Sequence, residues 1–218
     1  MKKLLLLLTC VIGLATAKAQ QPYRFWNDIQ NFKVQDSISF PAPNQILFIG
    51  SSSFRMWHNV NEYFPKHKII NRGFGGSQLL DLIQYRYEVI YPYQPKQIVI
   101  YCGENDFAAT DVAVDTVVKR FKTLFYLIRA KYPTVPLAYV SMKPSPSRKK
   151  YMENYNLTNI KIEAFLKKQR NTVYIDVYNK MLKPDGNPME DIFLKDNLHM
   201  NEKGYKIWQK TITPYLKK

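Results

Sequence analysis

The chain has 218 residues, 46% of them hydrophobic, enough for one domain with a substantial core and too few for two ordinary ones. It carries 32 Lys and Arg against 17 Asp and Glu, a net charge of +15. The basic residues are scattered, with small clusters only at Arg148-Lys149-Lys150, Lys167-Lys168-Gln169-Arg170 and Lys217-Lys218. Solvated helix faces and a basic tail account for that pattern, which speaks against a nucleic-acid partner.

The first element is a leader. Met1-Lys2-Lys3 is positive, Leu4 to Leu8 is apolar, and Ala17-Lys18-Ala19 has the small-x-small form of a cleavage site. The apolar stretch falls short of the ~20 residues a membrane span needs. Residues 1–19 therefore read as a secretory signal peptide, and residues 20–218 as one domain, secreted or periplasmic, with no transmembrane segment after cleavage. Lys2, Lys3 and Lys18 leave with the leader, reducing the charge from +15 to +12. Cys10 leaves too, so Cys102 has no partner for an internal disulfide and the mature domain relies on its core.

Beyond the leader, short apolar runs bounded by breakers predict buried strands at 45–50, 68–71, 97–101, 137–141 and 172–176. Between them, apolar residues at helical spacing predict helices over 79–91, stopped by Pro92, and 112–132, stopped by Pro133. Further amphipathic helices are expected over 151–170 and 201–216. Strand alternating with helix implies a parallel sheet covered on both faces, a three-layer α/β/α sandwich of about five strands. Ligands of such sheets sit beyond the carboxyl ends of the strands, where loops lead into helices. Three loops fall there: Gly50-Ser51-Ser52-Ser53, Gly73-Phe74-Gly75-Gly76 and Gly103-Glu104-Asn105-Asp106. The irregular stretch 177–198 is long for a connection and leads to Asp196 and His199.

Those residue types fit acyl transfer. A serine hydroxyl needs a base within hydrogen-bond reach, ~2.6–3.2 Å, to become a nucleophile. Of the three histidines, His58 follows Ser52 on the same local helix and His67 precedes the second strand at the far end of the sheet, which leaves His199. Asp196, three residues earlier, is placed either to accept the imidazole Nδ1 proton or simply to cap the last helix. Asp176, at the end of the fifth strand, reads as structural. Among Ser51, Ser52 and Ser53, one is expected to cap the helix; Ser52, at the loop-to-helix junction, is the choice for attack. The backbone N–H groups of Ser52 and Gly76 and the amide of Asn105 would supply oxyanion donors, although the glycine loop and Asn105 also suit plain turns. Phe54, Trp57 and Phe107 lie close in sequence to these loops and are expected to narrow the substrate pocket.

At these residues the chain resembles the SGNH hydrolases, also called the GDSL esterase and lipase family. The family's Gly-Asp-Ser block is matched by Gly50-Ser51-Ser52, its oxyanion glycine by Gly76, its Gly-x-Asn-Asp block by Gly103 to Asp106, and its Asp-x-x-His block by Asp196 and His199. Ser51 stands where the family usually has aspartate. The resemblance implies a flavodoxin-like sandwich, the catalytic set Ser52, Asp196 and His199, and the oxyanion hole Ser52, Gly76 and Asn105. It implies ester hydrolysis through an acyl-enzyme with no metal and no cofactor, most readily removal of acetyl or another small acyl group from a carbohydrate or similar small molecule. The alternatives are a lysophospholipase or other lipid esterase on the same site, and a non-catalytic carbohydrate- or nucleotide-binding module; no Gly-x-x-x-x-Gly-Lys phosphate loop is present to favour the last.

Overall fold

A computed structural model describes residues 24–110 and 112–218; the expected leader at 1–19 lies outside the described residues. Five strands form one sheet: β1 (Ile46–Gly50), β2 (Ile69–Gly73), β3 (Gln97–Tyr101), β4 (Leu137–Val140) and β5 (Thr172–Ile175). Their spatial order is β2-β1-β3-β4-β5 and every pairing is parallel, as the alternation of apolar runs and helices predicts. The three inner strands β1, β3 and β4 are buried along their whole length, which explains their largely apolar sequence.

Side chains alternate between two cores. Leu47 and Ile49 of β1 and Ile98 and Ile100 of β3 face a layer built from α1 (Trp26–Ile38), α4 (Leu79–Gln84), α5 (Arg86–Val89), α7 (Val114–Lys131) and α8 (Met152–Leu166). On the other side Ile46, Phe48 and Val99 face α2 (Ser52–Arg55), α3 (Val60–Tyr63) and α9 (Glu202–Ile212). Helix α6 (Glu104–Thr110) follows β3 directly. Among the described residues no helix is long and apolar enough to cross a membrane.

Two elements differ from expectation. The helix predicted over 79–91 is two short helices broken at Tyr85. Helix α1 carries no amphipathic signal, because Ile29 is its sole buried residue while Trp26, Val34 and Ile38 are exposed. A polar network holds it instead. Asp36 accepts hydrogen bonds from Arg72 of β2 and, at 2.5 Å, from the Tyr93 hydroxyl, while Arg72 Nε donates to that same hydroxyl at 2.6 Å.

The strand order fixes where a ligand can enter. The chain starts the sheet at β1, moves to β2 on one side, then crosses to β3 on the other, so the loops after β1 and β3 diverge and leave a crevice at their carboxyl ends. Gly50 ends β1 beside Tyr101 of β3 with φ +146°, and a Cβ there would lie 1.8 Å from the Tyr101 carbonyl oxygen. Only glycine permits that close approach.

Candidate active site

Ser51, Ser52 and Ser53 separate by burial. Ser51 and Ser53 are buried, and Ser52, first residue of α2, is partly exposed at the crevice. Ser51 occupies the N-cap position without a side-chain capping bond. Its N–H donates to the Tyr101 carbonyl at 3.0 Å, locking the turn to β3. The first turn of a helix leaves N–H groups without internal acceptors. The N–H of Ser52 is one of these, and neither it nor the N–H of Gly76 donates to another described residue.

Gly76 has φ +79°, a left-handed conformation that suits glycine. Its carbonyl accepts from Arg24 Nη2 at 3.0 Å, so the segment entering α1 braces the glycine loop from outside. The adjoining residues bind inward: Phe74 N–H and Ser77 Oγ both donate to the Gly50 carbonyl, at 2.9 and 3.1 Å.

Asn105 lies in the first turn of α6, and its Nδ2 donates to the Ser77 carbonyl at 3.1 Å and to Ser51 Oγ at 3.3 Å. One side-chain amide thus joins the loops after β1, β2 and β3. Cys102, buried just ahead of this turn, donates from Sγ to the same Ser77 carbonyl at 3.5 Å, and burial pushes its thiol well above the ordinary range. Asp106 is fully buried, pairs with Arg120 of α7 at 2.7 Å and accepts from the Leu79 N–H at 3.0 Å, satisfying the start of α4. Burial raises the Asp106 carboxyl above the usual range against the pull of Arg120.

Asp196 and His199 form a unit of their own. His199 Nδ1 lies 2.6 Å from Asp196 Oδ2, and the backbone N–H groups of Leu198 and His199 both donate to Oδ1 at 2.9 Å. Burial pushes the Asp196 carboxyl up, but the His199 ring and those two N–H donors outweigh it and hold the group down to about 2. The loop is closed by a bridge between Phe193 and Met200 and by Leu194 N–H donating to the His199 carbonyl at 2.7 Å. Asn197 supplies the reversal with φ +55°.

The helix-cap alternative for Asp196 is resolved by position. Asn201 caps α9, accepting from Lys203 and Gly204 N–H at 2.9 and 3.3 Å, which leaves Asp196 to the histidine. Helix α9 is pinned to the turn of Ser51, Ser52 and Ser53 because the Tyr205 hydroxyl donates to the Ser53 carbonyl at 2.9 Å. Asp176 instead holds the turn after β5, accepting from Asn179 N–H and Nδ2 at 3.1 and 2.7 Å. His67 sits at the far end of the sheet with its Nδ1 3.2 Å from the Lys217 carbonyl.

The expectation for the aromatic residues needs correction. Phe54 packs against Phe48 and Tyr101, Trp57 against Phe64 and Tyr205, and Phe107 against Tyr155; all three are buried. Proximity in sequence to the loops reflects core packing beneath them, and these rings do not line the groove described next. Open space lies elsewhere. A groove of about 750 Å³ between α2, α3 and α9 is lined by Met56, His58, Tyr63, Leu194, Met200 and Tyr205, next to the His199 loop. Sequence reading missed Arg24, Glu104, Lys143 and Arg120 as parts of this region, since no local pattern marks partners so far apart in the chain.

Comparison with known proteins agrees with this architecture. The model of the GDSL-like lipase/acylhydrolase family matches residues 36–207. A Bacteroides fragilis protein, provisionally described as an acylhydrolase, superposes with TM-score 0.74 at 22% identity, covering 88% of this chain and 97% of its own. A GDSL-like lipase from Bacteroides thetaiotaomicron gives TM-score 0.72 at 20% identity, with 86% and 96% covered. A carbohydrate esterase family 3 protein from Talaromyces cellulolyticus gives 0.64 at 15%, with 79% and 95% covered. Comparison with curated proteins returns no match.

Proposed function

As the chain belongs to the GDSL-like lipase/acylhydrolase family, we propose that it is an exported serine esterase acting through an acyl-enzyme. The observation that carries this reading is the 2.6 Å pairing of His199 Nδ1 with Asp196, in a loop whose following helix is tied to the turn of the partly exposed Ser52. Ser52 Oγ attacks the ester carbonyl while His199 Nε2 takes its proton. Asp196 holds the tautomer and stabilises the imidazolium. The oxyanion is received by the N–H groups of Ser52 and Gly76 and by Asn105 Nδ2, which exchanges its long 3.3 Å bond to Ser51 Oγ for one to the oxyanion. His199 then returns the proton to the departing alcohol, and the same residues deliver water to release the acid.

For substrate, we favour a small acyl group on a carbohydrate. A fold neighbour carries the description carbohydrate esterase, and the polar and aromatic groove beside His199 has room for a bulky alcohol portion. Leu194, 42% exposed in the same loop, favours a lipid ester as second reading. Hydrolysis of nitrophenyl esters from acetate to long acyl chains separates the two. Activity that falls steeply beyond acetate supports the first, activity that rises with chain length supports the second, and a wild type no faster than Ser52→Ala sinks both.

A further inference from the structure

Glu104, immediately before Asn105, carries a carboxylate that none of the steps above uses, yet it is buried and held by three donors. Its Oε1 accepts from the Tyr101 hydroxyl and, at 3.0 Å, from the Lys143 N–H; its Oε2 accepts from Lys143 Nζ at 3.1 Å. Its own carbonyl accepts from the Tyr155 hydroxyl at 3.3 Å. Lys143 is 1% exposed, which is unusual for an ammonium group.

The loop bearing Lys143 is fixed on every side. Asn159 of α8 both donates to the Met142 carbonyl and accepts from the Met142 N–H, at 3.0 and 2.9 Å. Ser141 Oγ accepts from the N–H groups of Val177 and Tyr178 at 2.9 and 3.0 Å. Farther along, the Ser147 N–H donates to the Asn197 carbonyl at 3.1 Å, inside the turn that carries Asp196 and His199. Lys143 Nζ also lies 5.9 Å from the centre of the Phe193 ring, and Phe193 closes that turn by its bridge to Met200. The buried ammonium therefore stands between the residue that precedes Asn105 and the residue that closes the His199 loop.

Burying an ion pair seldom adds stability over apolar residues of the same size. What apolar residues cannot supply is direction: three donors converging on one carboxylate fix the first turn of α6 in a single orientation. We propose that the buried Glu104–Lys143 pair is a positioning device that aims Asn105 Nδ2 at the oxyanion and sets the oxyanion loop in register with the His199 loop. The proposal rests on the esterase reading for its kinetic effect and on geometry alone for its effect on Asn105.

The test compares Lys143→Met, Glu104→Gln and the double variant with the wild type, each assayed well below its own melting temperature. Misplacing a catalytic group by about 1 Å costs on the order of 10²-fold, so Lys143→Met is expected to lower kcat by about that factor with KM little changed. The double variant, which carries no unpaired charge and keeps an acceptor for the Tyr101 hydroxyl and the position-143 N–H, is expected to regain about tenfold over Lys143→Met. NMR reads the same event without turnover: the Asn105 side-chain amide signal should shift or broaden in Lys143→Met and return toward its wild-type position in the double variant. If kcat per folded molecule stays within about twofold and the Asn105 amide signal is unmoved while melting temperature falls, the pair is merely stabilising and the proposal is overturned. If the wild type hydrolyses no ester faster than Ser52→Ala, the esterase reading has failed, and the Asn105 signal still decides the positioning claim. Should Lys143→Met not fold, the double variant against Glu104→Gln gives the same two readouts.

Discussion

The two halves of the site are built on opposite plans. The Asp196–His199 half is exposed, with side chains 46% and 23% accessible, and its parts lie within eight residues of chain closed by their own backbone bonds. The Asn105 half is buried and assembled from afar: Glu104 reaches Lys143, Asp106 reaches Arg120, and Asn105 reaches Ser77 and Ser51. A proton-transfer group has to meet solvent and substrate, whereas an oxyanion donor gains strength from a fixed, water-poor setting. The contrast implies that damage to the first half stays chemical, while damage to the second spreads into stability.

The sharpest trial of that contrast is His199→Ala. It should lower kcat by about 10⁴-fold or more with melting temperature within about 2 °C of wild type, read by initial rates and calorimetry on one preparation. Asn105→Ala should cost about 10²–10³-fold in kcat, since the proposed oxyanion hole loses one donor. It should also lower stability measurably in denaturant, because three loops lose their common tie.

Arg120→Met probes the buried half without touching a reacting group, and should destabilise by about 3 kcal/mol by removing the cation that the buried Asp106 carboxylate faces. Burial already holds that carboxyl above its ordinary 3.8, and losing Arg120 raises it further. A carboxyl raised in the folded state binds more protons folded than unfolded, so stability falls as pH rises through that window. The deficit of Arg120→Met should therefore shrink as pH is lowered from neutral toward the carboxylate range; a deficit that grows toward acid would contradict the burial account.

The smallest effect belongs to Asp196, whose folded carboxyl is depressed from 3.8 to about 2. Its contribution to stability is present above 3.8 and is lost as pH falls through the folded value, so wild type and Asp196→Asn should converge in denaturant midpoint near pH 2. Exposure keeps the difference at neutral pH under about 1 kcal/mol.

The same contrast explains what the sequence could and could not reveal. Buried parallel strands announce themselves as apolar runs, and all five lie within two residues of where those runs predict. Asp196 and His199 were legible as a pair because a three-residue spacing is itself the contact. Lys143 and Arg120 gave no such sign, since a buried cation looks like any other until the fold supplies its carboxylate. Helix α1 escaped for a related reason: its anchor is Asp36 meeting Arg72 and Tyr93, where an apolar stripe would have been visible. Phe54, Trp57 and Phe107 misled in the opposite direction, because nearness along the chain says nothing about which way a ring faces.

Cys102 gives the buried half an internal clock. A thiol is alkylated as thiolate, and here it is both hidden and held protonated at the end of β3, against the carbonyl that also receives Asn105. Reagent can reach it only when that corner opens. The native-state alkylation rate of the Cys102 thiol thus times the local opening of the Asn105 corner, separately from global unfolding.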